Sequence, residues 1–355
     1  MEEIIIVINP GSTSTKMALF RGTEKIADET VSHPSEQLAA YKNVADQFEL
    51  RMKNIDDWLG RNKIDEKKVV AVAGRGAPLR PLDGSIYWIG EKMLADLRQM
   101  KYSNHASNLG AIIADYLGKK YKAPAIIVDP ITIDNFCDYA RISGVPEIER
   151  ISRAHVLNIK EICRRDAVKR GRKLEESNYV AVHMGGGISV VAVQKGKIID
   201  ANDALLGMGP FSPDRAGALP IAGLVKLAYS GKYSEKELLE KLSRKSGLLA
   251  YIGQNDLREV EKMIDGGDKK AELYFGAMAY QVAKEIGAAA AVLKGKYDGI
   301  ILTGGMAKSN RLVELLKSYI SFLGEVIVMP GEFELEALAA GAVRVLEKKE
   351  IPQDY

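Results

Sequence analysis

The feature that most constrains the fold of this chain is a strand–turn–strand–turn–strand plan that occurs twice. Short apolar runs rich in β-branched residues are typical of buried strands, and Asn, Pro, Gly and Lys residues interrupt them where the chain reverses. The first copy predicts strands at residues 4–8, 17–20 and 25–31. The second copy predicts strands at residues 179–183, 188–193 and 198–200. The copies share a layout rather than residues, and we interpret the repeat as a candidate internal duplication.

The first turn of the first copy is dense in polar groups. Pro10 and Gly11 end the first strand, because Pro lacks an N–H donor and Gly tolerates a positive φ. Four hydroxyls and one ammonium follow at the tip of the hairpin, on Ser12, Thr13, Ser14, Thr15 and Lys16. Backbone N–H groups, hydroxyls and a cation suit a phosphoryl group. Turns are rich in these residues anyway, so an ordinary Ser/Thr turn stays open as the alternative.

Length and composition limit the classes of protein to consider. The chain has 355 residues, which predicts two domains rather than one. Hydrophobic residues make up 46% and charged residues 27%, as in soluble globular proteins. The net charge of +3 is small at this size, so we expect no nucleic-acid partner. The two cysteines, Cys137 and Cys163, have no ligand-like spacing, which argues against structural zinc and a disulfide framework and favours a reducing compartment.

The start of the chain carries no targeting signal that we recognise. Glu2 and Glu3 make it acidic, and the apolar run that follows is five residues long. Such a run is too short for a signal peptide or a transmembrane span. We therefore expect a cytoplasmic protein without a membrane partner.

Strands and helices alternate along the chain, as in α/β domains. In the first half, helices are predicted over residues 36–62, 91–99 and 105–121, and further strands at 69–73 and 125–128. In the second half, residues 221–295 are predicted to be mainly helical, followed by a strand at 298–303, a helix at 310–323, a strand at 325–329 and a helix at 334–349. We place the first domain at residues 1–145 with 334–355, to which the last helix returns, and the second domain at 146–333.

Three predicted strands end in glycine-bearing turns, at residues 9–11, 185–187 and 303–305. A turn without Cβ atoms lets backbone N–H groups approach an anion, so the three together predict contacts to one nucleotide. The sequence contains neither the glycine-rich P-loop motif nor the dinucleotide-binding glycine motif after a strand. The absence of both motifs argues against a P-loop fold and against a Rossmann fold.

Together these features resemble the acetate and sugar kinase/Hsp70/actin superfamily and, within it, the acetokinase family. The family's first signature is matched at Asn9, Gly11, Ser12, Ser14 and Lys16, and its second at residues 182–187. Gly186 stands where acetate kinases usually have Asn. This departure, the loop at residues 74–79 and the ending at 330–334 are similar to the butyrate kinase branch. The resemblance spans nearly the whole chain.

The resemblance implies a fold and an activity. The implied fold is α/β, with two duplicated actin/Hsp70/ribonuclease H-like domains and an interdomain active-site cleft. The implied activity is reversible, direct in-line phosphoryl transfer between ATP and a short-chain carboxylate such as butyrate or isobutyrate, which gives acyl phosphate and ADP. Mg²⁺ and a homo-oligomer are implied as well. An acetate or propionate kinase is the alternative within the family, and a nucleotide-dependent interaction protein of the same fold is the alternative outside the enzymes.

The resemblance also implies roles for individual residues. The implied catalytic residues are Arg75, His155, Arg215 and Asp129. The implied nucleotide- and phosphate-binding residues are Asn9, Ser12, Ser14, Lys16, His183, Gly185, Gly186, Gly187, Thr303, Gly304 and Gly305. The implied substrate-binding residues are Arg75, His105 and Arg215, and those linked to the metal are Glu334 and Asn9.

Elementary chemistry supports these residue types. A carboxylate is already a competent nucleophile, so the reaction needs positive charge rather than a general base. Arginine provides a permanent, bidentate cation, and a histidine can donate a hydrogen bond to a phosphoryl oxygen. A sugar kinase would instead need a carboxylate base for its hydroxyl substrate, and Asp129 is our one candidate for it. Ordinary roles stay open: Arg75 could form a surface ion pair, and Glu334 could be a favourable charge at a helix N-terminus.

Overall fold

The structure is a computed structural model that describes residues 3–355. Its strands are β1 (Ile4–Pro10), β2 (Ser14–Arg21), β3 (Glu24–Ser32), β4 (Val69–Arg75), β5 (Ile86–Trp88), β6 (Ala125–Val128), β7 (Asn178–Met184), β8 (Ile188–Gln194), β9 (Lys197–Ala201), β10 (Gly299–Gly304) and β11 (Val326–Pro330). Its helices are α1 (Ser35–Ala39), α2 (Phe48–Arg61), α3 (Glu91–Arg98), α4 (Asn108–Tyr121), α5 (Asp138–Arg141), α6 (Val156–Lys169), α7 (Ile221–Ala228), α8 (Glu235–Arg244), α9 (Gly247–Ile252), α10 (Leu257–Asp265), α11 (Lys269–Val292), α12 (Asn310–Ile320) and α13 (Glu334–Leu346).

Each predicted repeat lies in its own sheet. The first sheet has the strand order β3-β2-β1-β4-β6-β5, and the second has the order β11-β10-β7-β8-β9. In each sheet an antiparallel three-stranded meander is extended by parallel strands, β4 and β6 in the first and β10 and β11 in the second. Read in reverse, the second order repeats the first five strands of the first order. This repetition confirms the predicted α/β fold with two duplicated domains.

Contacts between residues divide the chain into two compact units. Unit 1 comprises the described residues up to Asp134 together with Phe333–Tyr355, and unit 2 comprises Asn135–Glu332. The boundaries expected from sequence lie at 145/146 and 333/334. Helix α13 belongs to unit 1, where it packs on β1, β4 and β6.

Helices bury both sheets. In unit 1 every residue of β1 is buried, as its β-branched run predicts, and α4 and α13 pack on this strand and on β4. In unit 2 the long helix α11 packs on β7, β8 and β9, and its Met278 and Ile286 join the apolar core. Helix α6 packs on β7 and β10 of the same sheet. Among the helices within residues 3–355, none is both long enough and apolar enough to cross a bilayer.

The helices near the candidate site differ from expectation at two places. The continuous helix predicted over residues 36–62 is wrong, because α1 ends at Ala39 and α2 begins at Phe48. Between them the Val44 N–H donates to Asn104 Oδ1 at 2.9 Å instead of to a carbonyl one turn earlier. Helix α6 was not predicted, although apolar residues recur in it at helical spacing.

Candidate functional site

Three parallel strands of unit 1 bring candidate residues to one edge of their sheet. Strands β1 and β4 are parallel neighbours, and so are β4 and β6. Asn9 lies near the end of β1, Arg75 ends β4, and Asp129 follows β6. The carboxyl ends of parallel strands are the usual location of ligand sites in α/β sheets. Three of the predicted site residues, Asn9, Arg75 and Asp129, therefore lie at the edge of the sheet where ligand sites are usually found.

Asn9, Arg75 and Glu334 form a hydrogen-bonded group, which we call the Arg75 cluster. Arg75 Nη1 lies 3.1 Å from Asn9 Oδ1 and 3.1 Å from Glu334 Oε2. Asn9 Nδ2 donates to the same Glu334 oxygen at 2.7 Å. Asn9 and Glu334 are only 2% and 8% exposed, whereas the Arg75 side chain is 27% exposed. The guanidinium is thus anchored on its buried side and open to a ligand on the other.

Helix α13 contributes to the Arg75 cluster through its first residue. Glu334 begins this helix, so its carboxylate lies at the positive end of the helix dipole. The carboxylate also forms a partly buried ion pair with Arg75. A negative charge that is stabilised in this way can hold the arginine in one orientation.

Asp129 has a strained backbone. Its φ of 42° lies in the left-handed region, and Pro130 follows it, which further restricts its conformation. The residue is only 3% exposed, and its N–H donates to the Ser85 carbonyl at 2.6 Å. Strain of this kind concentrates at functional sites, where the surrounding structure holds it in place.

The first turn presents polar groups to solvent. Ser12 and Thr13 are exposed, and the Gly11 N–H closes the turn on the Ser14 carbonyl at 2.7 Å. Lys16 lies opposite Asn9 in the ladder between β1 and β2, so the two side chains project from the same face of the sheet. The hydroxyl-rich turn therefore adjoins the Arg75 cluster.

His105 lies in the exposed loop before α4. Its Nδ1 accepts a hydrogen bond from the Ser107 backbone N–H at 3.2 Å. A backbone N–H only donates, so Nδ1 is the acceptor and the ring proton resides on Nε2. The side chain can therefore offer one N–H donor to an anion.

In unit 2 a row of polar side chains crosses the sheet. Thr303 faces His183 in the β10–β7 ladder, and His183 faces Ser189 in the β7–β8 ladder. Asn158 of α6 contacts this row, with Nδ2 3.0 Å from His183 Nδ1 and 3.3 Å from Thr303 Oγ1. Since the amide nitrogen only donates, His183 Nδ1 accepts and its Nε2 carries the proton.

His155 stacks on His183. The ring centroids are 3.9 Å apart and the planes differ by 9°. Ser189 holds His155 through its Oγ, which accepts the His155 N–H at 3.2 Å and lies 2.8 Å from Nδ1. Two imidazolium charges this close would repel each other, so the pair carries at most one positive charge. His155 is the more exposed ring of the two and can donate a hydrogen bond to a phosphoryl oxygen.

A loop that contains Arg215 wraps the second glycine turn. Ser212 Oγ donates to the Gly186 carbonyl, and Arg215 Nη1 donates to the Ala204 carbonyl. A Cβ on Gly187 would overlap the Arg215 guanidinium and lie 3.0 Å from the Ala204 oxygen. Glycine at position 187 is therefore required for Arg215 to lie against the turn.

Arg215 and Asp214 form a partly buried pair of opposite charges. Arg215 Nε lies 3.9 Å from Asp214 Oδ1, and neither buried atom has a hydrogen-bond partner within residues 3–355. Burial lowers the pKa of Arg215, and the Asp214 charge opposes this shift. Burial likewise raises the pKa of Asp214, against the effect of Arg215. Buried polar groups without partners and perturbed pKa values are typical of functional sites.

The third glycine turn lies directly beside the second. Gly304 has a φ of 90°, and a Cβ there would overlap the Met184 backbone. Thr303 is fully buried, and its hydroxyl donates to the Gly331 carbonyl at 3.1 Å. Gly305 is exposed. The Thr303 side chain thus holds the turn, and the backbone at Gly305 is available to a ligand.

Several residues of these groups were missed by sequence reasoning. The main ones are Asn158, Ser189, Ser212 and Asp214. Two of them had a signal in the sequence. Asn158 follows His155 by three residues and so shares its helical face, and Ser189 faces His183 once the turn at 185–187 sets the hairpin register.

Comparison with solved structures identifies the class of this fold. The chain is similar to acetate kinase from Porphyromonas gingivalis, with 19% identity and a TM-score of 0.78 over 97% of this chain and 100% of that chain. It is similar to a propionate kinase from Francisella tularensis subsp. tularensis, with 21% identity and a TM-score of 0.74 over 95% and 98%. It is also similar to acetate kinase from Entamoeba histolytica, with 19% identity and a TM-score of 0.72 over 96% and 98%. At these identities the similarity shows the fold, which this chain shares with these acetate and propionate kinases.

A family model narrows the assignment. The model described as the acetokinase family matches residues 153–329, a stretch that contains the stacked histidines, Arg215 and both glycine turns of unit 2. Together with the shared fold, this match supports the acetokinase family and indicates an ATP-dependent carboxylate kinase.

Proposed function

We propose that this protein is a butyrate kinase-like enzyme, which transfers a phosphoryl group directly and in line between ATP and a short-chain carboxylate. Acyl phosphate and ADP are the products, and the reaction is reversible. The observation that carries the proposal is the Arg75 cluster, in which a partly exposed arginine is anchored by buried Asn9 and Glu334 at the end of parallel strands. Such a cation suits a carboxylate substrate, which needs charge neutralisation and no base.

The phosphates of ATP are assigned to the two hairpin turns. In unit 1, Ser12, Ser14 and Lys16 offer hydroxyls and a cation. In unit 2 the Gly185 N–H closes the turn on the Gly187 carbonyl at 3.1 Å, and the backbone at Gly186 and Gly187 offers N–H groups beside His183. The third turn, with Gly304 and Gly305, is assigned to the adenosine.

Arg75, Arg215 and His155 are assigned to the transferring group and the acid. The reaction places negative charge on three equatorial oxygens, and permanent cations stabilise that charge without proton transfer. His155 donates a hydrogen bond to one of these oxygens, and His105 offers a further donor to the substrate. Asp129, strained and buried at the sheet edge, is assigned to the metal or the carboxylate.

The side chains of the Arg75 cluster fit Mg²⁺, which prefers oxygen ligands and takes few from the protein. Glu334 supplies a carboxylate and Asn9 an amide oxygen, and the two are bonded to each other. Within residues 3–355, no three or more His, Cys, Asp or Glu side chains gather as a metal site. Glu334 and Asn9 would hold the ion together with the phosphates of ATP. When bound, it would neutralise phosphate charge beside Arg75.

Acid chain length distinguishes this proposal from an acetate or propionate kinase. Gly186, at a position where acetate kinases usually have Asn, favours the butyrate branch. One methylene is worth only about 1–3 kcal/mol in an apolar pocket, so we expect activity on several acids with a preference for butyrate or isobutyrate. A hydroxylamine trap for acyl phosphate, with ATP, Mg²⁺ and acids of two to five carbons, measures kcat/KM for each. No product with any acid would contradict the proposal, and a maximum at acetate or propionate would favour the alternative.

We further propose that a second copy of the chain covers α7. This helix is rich in apolar residues, yet none of its side chains is buried. Ile221 is 78% exposed and Val225 is 49% exposed. Light scattering after size exclusion should give more than the monomer mass, and Ile221→Glu should reduce it. A monomeric wild-type protein would contradict this assignment.

A further inference from the structure

Among the residues that the structure describes, Arg51 is the largest fully buried side chain, with 0% exposure. It lies in α2 and is not among the predicted site residues. Arginine is almost never fully buried unless it is paired, because removing its charge from water is costly. A buried arginine of this kind requires a structural explanation.

All hydrogen-bond partners of Arg51 are neutral. Nη1 donates to the carbonyls of Gly11 and Ser14 at 3.0 and 2.9 Å and to Thr15 Oγ1 at 3.0 Å. Nε and Nη2 donate to Gln47 Oε1 at 3.2 and 2.9 Å. No carboxylate of residues 3–355 lies within ion-pair distance. Burial lowers the pKa of Arg51 to about 10, so it still carries its charge at neutral pH.

The contacts of Arg51 determine how the first turn faces solvent. Arg51 Nη2 also reaches the Ser12 carbonyl at 3.4 Å, and the His33 N–H binds the Thr13 carbonyl at 2.8 Å. The carbonyls of residues 11–14 are thus all held on the protein side. In a planar trans peptide the C=O and the following N–H point in opposite directions.

The N–H groups of Ser12 and Thr13 must therefore point away from Arg51. Both residues are exposed, and neither N–H has an acceptor among the residues that the structure describes. Two parallel N–H donors above an uncompensated buried cation form an anion-binding concavity. Preorganised donors of this kind are most effective because they need no rearrangement when the charge arrives.

We propose that Arg51 is a positioning residue for phosphate, which holds the first turn with its N–H groups outward and adds a positive field beneath it. Arg51 is fully buried, so it acts through the turn and does not touch the substrate. The inference rests on the proposed function only in naming ATP as the phosphate donor.

The test compares the affinity for ATP with the affinity for adenosine, measured by calorimetry with Mg²⁺. Adenosine has no phosphate and is unaffected by the first turn. Arg51→Met should weaken ATP binding by about 10- to 100-fold, the worth of hydrogen bonds to a charged group, and leave adenosine binding unchanged. Arg51→Lys, which keeps the charge but loses the bidentate fork, should fall between wild type and Arg51→Met.

Two further variants serve as controls. Gln47→Met leaves Arg51 in place but removes the amide that orients it, so it should reproduce part of the loss even if Arg51→Met does not fold. Arg61→Met changes an arginine on the same helix whose side chain is 63% exposed, and it should leave both affinities at the wild-type level.

Equal losses of ATP and adenosine affinity in Arg51→Lys and Gln47→Met would overturn the inference, because they would indicate general loosening of the fold. Unchanged ATP affinity in these variants, together with a lower melting temperature, would also overturn the inference. The readout is binding rather than turnover, so an absence of acyl phosphate contradicts the proposed function alone. A wild-type protein without affinity for ATP would overturn both.

Discussion

The two hairpin turns occupy equivalent positions in the two sheets but are held in different ways. In unit 1 the turn at residues 11–14 is polar, and the buried Arg51 binds its carbonyls from inside the unit. In unit 2 the turn at 185–187 consists of glycines, and Ser212 Oγ donates a hydrogen bond to its backbone at the Gly186 carbonyl. Arg215 fills the space that a side chain at position 187 would need. In unit 1 the arginine that holds the turn, Arg51, is separate from the candidate catalytic arginine, Arg75. In unit 2 Arg215 both lies against the turn and is the candidate catalytic arginine.

This difference shows how one strand layout supports two kinds of phosphate turn. The sheet order is repeated, but the residues that hold each turn come from different elements, α2 in unit 1 and the loop before α7 in unit 2. A change in the second turn should therefore displace a catalytic group directly. A change beneath the first turn should alter phosphate binding while Arg75 keeps its own anchors.

The largest effects are expected at Arg75 and Arg215, the two arginines assigned to the transferring group. Arg75→Ala and Arg215→Ala should each lower kcat about 10³-fold, the loss typical of an arginine that stabilises a transferring phosphoryl group. Acyl-hydroxamate formation at saturating ATP measures this. Arg61→Ala, in a surface pair with Glu29, is the control and should stay within about twofold. If either variant kept more than about a tenth of the activity, the assignment of that arginine to the transferring group would be wrong.

The next largest effect on kcat is expected at Gly187 and not at its neighbour Gly186 in the second turn. Gly187→Ala would push its methyl into the Arg215 guanidinium and should lower kcat about 10²-fold. Gly186→Ala would meet only Asp214 oxygens at 3.7 Å, an ordinary contact, and should change kcat less than about threefold. The same assay compares the two variants. Equal losses would show that Arg215 does not depend on the space at position 187.

A third change concerns the first residue of α13. Glu334→Gln removes the charge that anchors Arg75 and is assigned to Mg²⁺, so the half-saturating Mg²⁺ concentration should rise about 10- to 100-fold. Glu336→Gln is the matched control on the same helix, where the carboxylate pairs with Lys25 at 3.5 Å. Mg²⁺ titrations of the initial rate compare the two. A similar shift in both variants would argue against the assignment of Glu334.

The smallest expected effect is on the pH dependence of stability, to which His33 contributes beside the first turn. Burial, and then the Arg51 charge, lowers the pKa of His33, whose Nε2 lies 2.9 Å from Thr15 Oγ1. On acidification the His33 ring therefore takes up a proton in the unfolded chain at a higher pH than in the folded protein. The contribution of the neutral ring to the free energy of unfolding is present above about pH 6.5 and is lost as the pH falls through the folded-state pKa. His33→Gln, which can still bond Thr15, should flatten this dependence in urea unfolding at several pH values. An unchanged pH dependence would mean that His33 is not buried as a neutral ring.

The strands were predictable from sequence because their signals are local. The β-branched run of β1 and the paired strands around residues 185–187 are recognisable from their own residues, and repetition of the plan indicated an internal duplication. Arg75 and Asp129 could be placed at the ends of predicted strands, but their roles followed from the resemblance to the acetokinase family.

The partners of those residues were not predictable, because they come from distant parts of the chain. Asn9 bonds Glu334 across 325 positions, and no local pattern indicates that pair. The break in the predicted helix over 36–62 depends on Asn104, which is 60 residues from Val44. Arg51 looks like any helix arginine in the sequence, and only the packing of α2 under the first turn gives it a role.

The central claim is that this protein moves a phosphoryl group between ATP and a carboxylate. The most direct measurement runs the reaction backwards, with synthetic butyryl phosphate, ADP and Mg²⁺, and detects ATP with luciferase. The account predicts ATP formation that requires the acyl phosphate and is lost in both Arg75→Ala and Arg215→Ala. No ATP from acetyl, propionyl, butyryl or isobutyryl phosphate, in a wild-type protein that binds ADP, would contradict it.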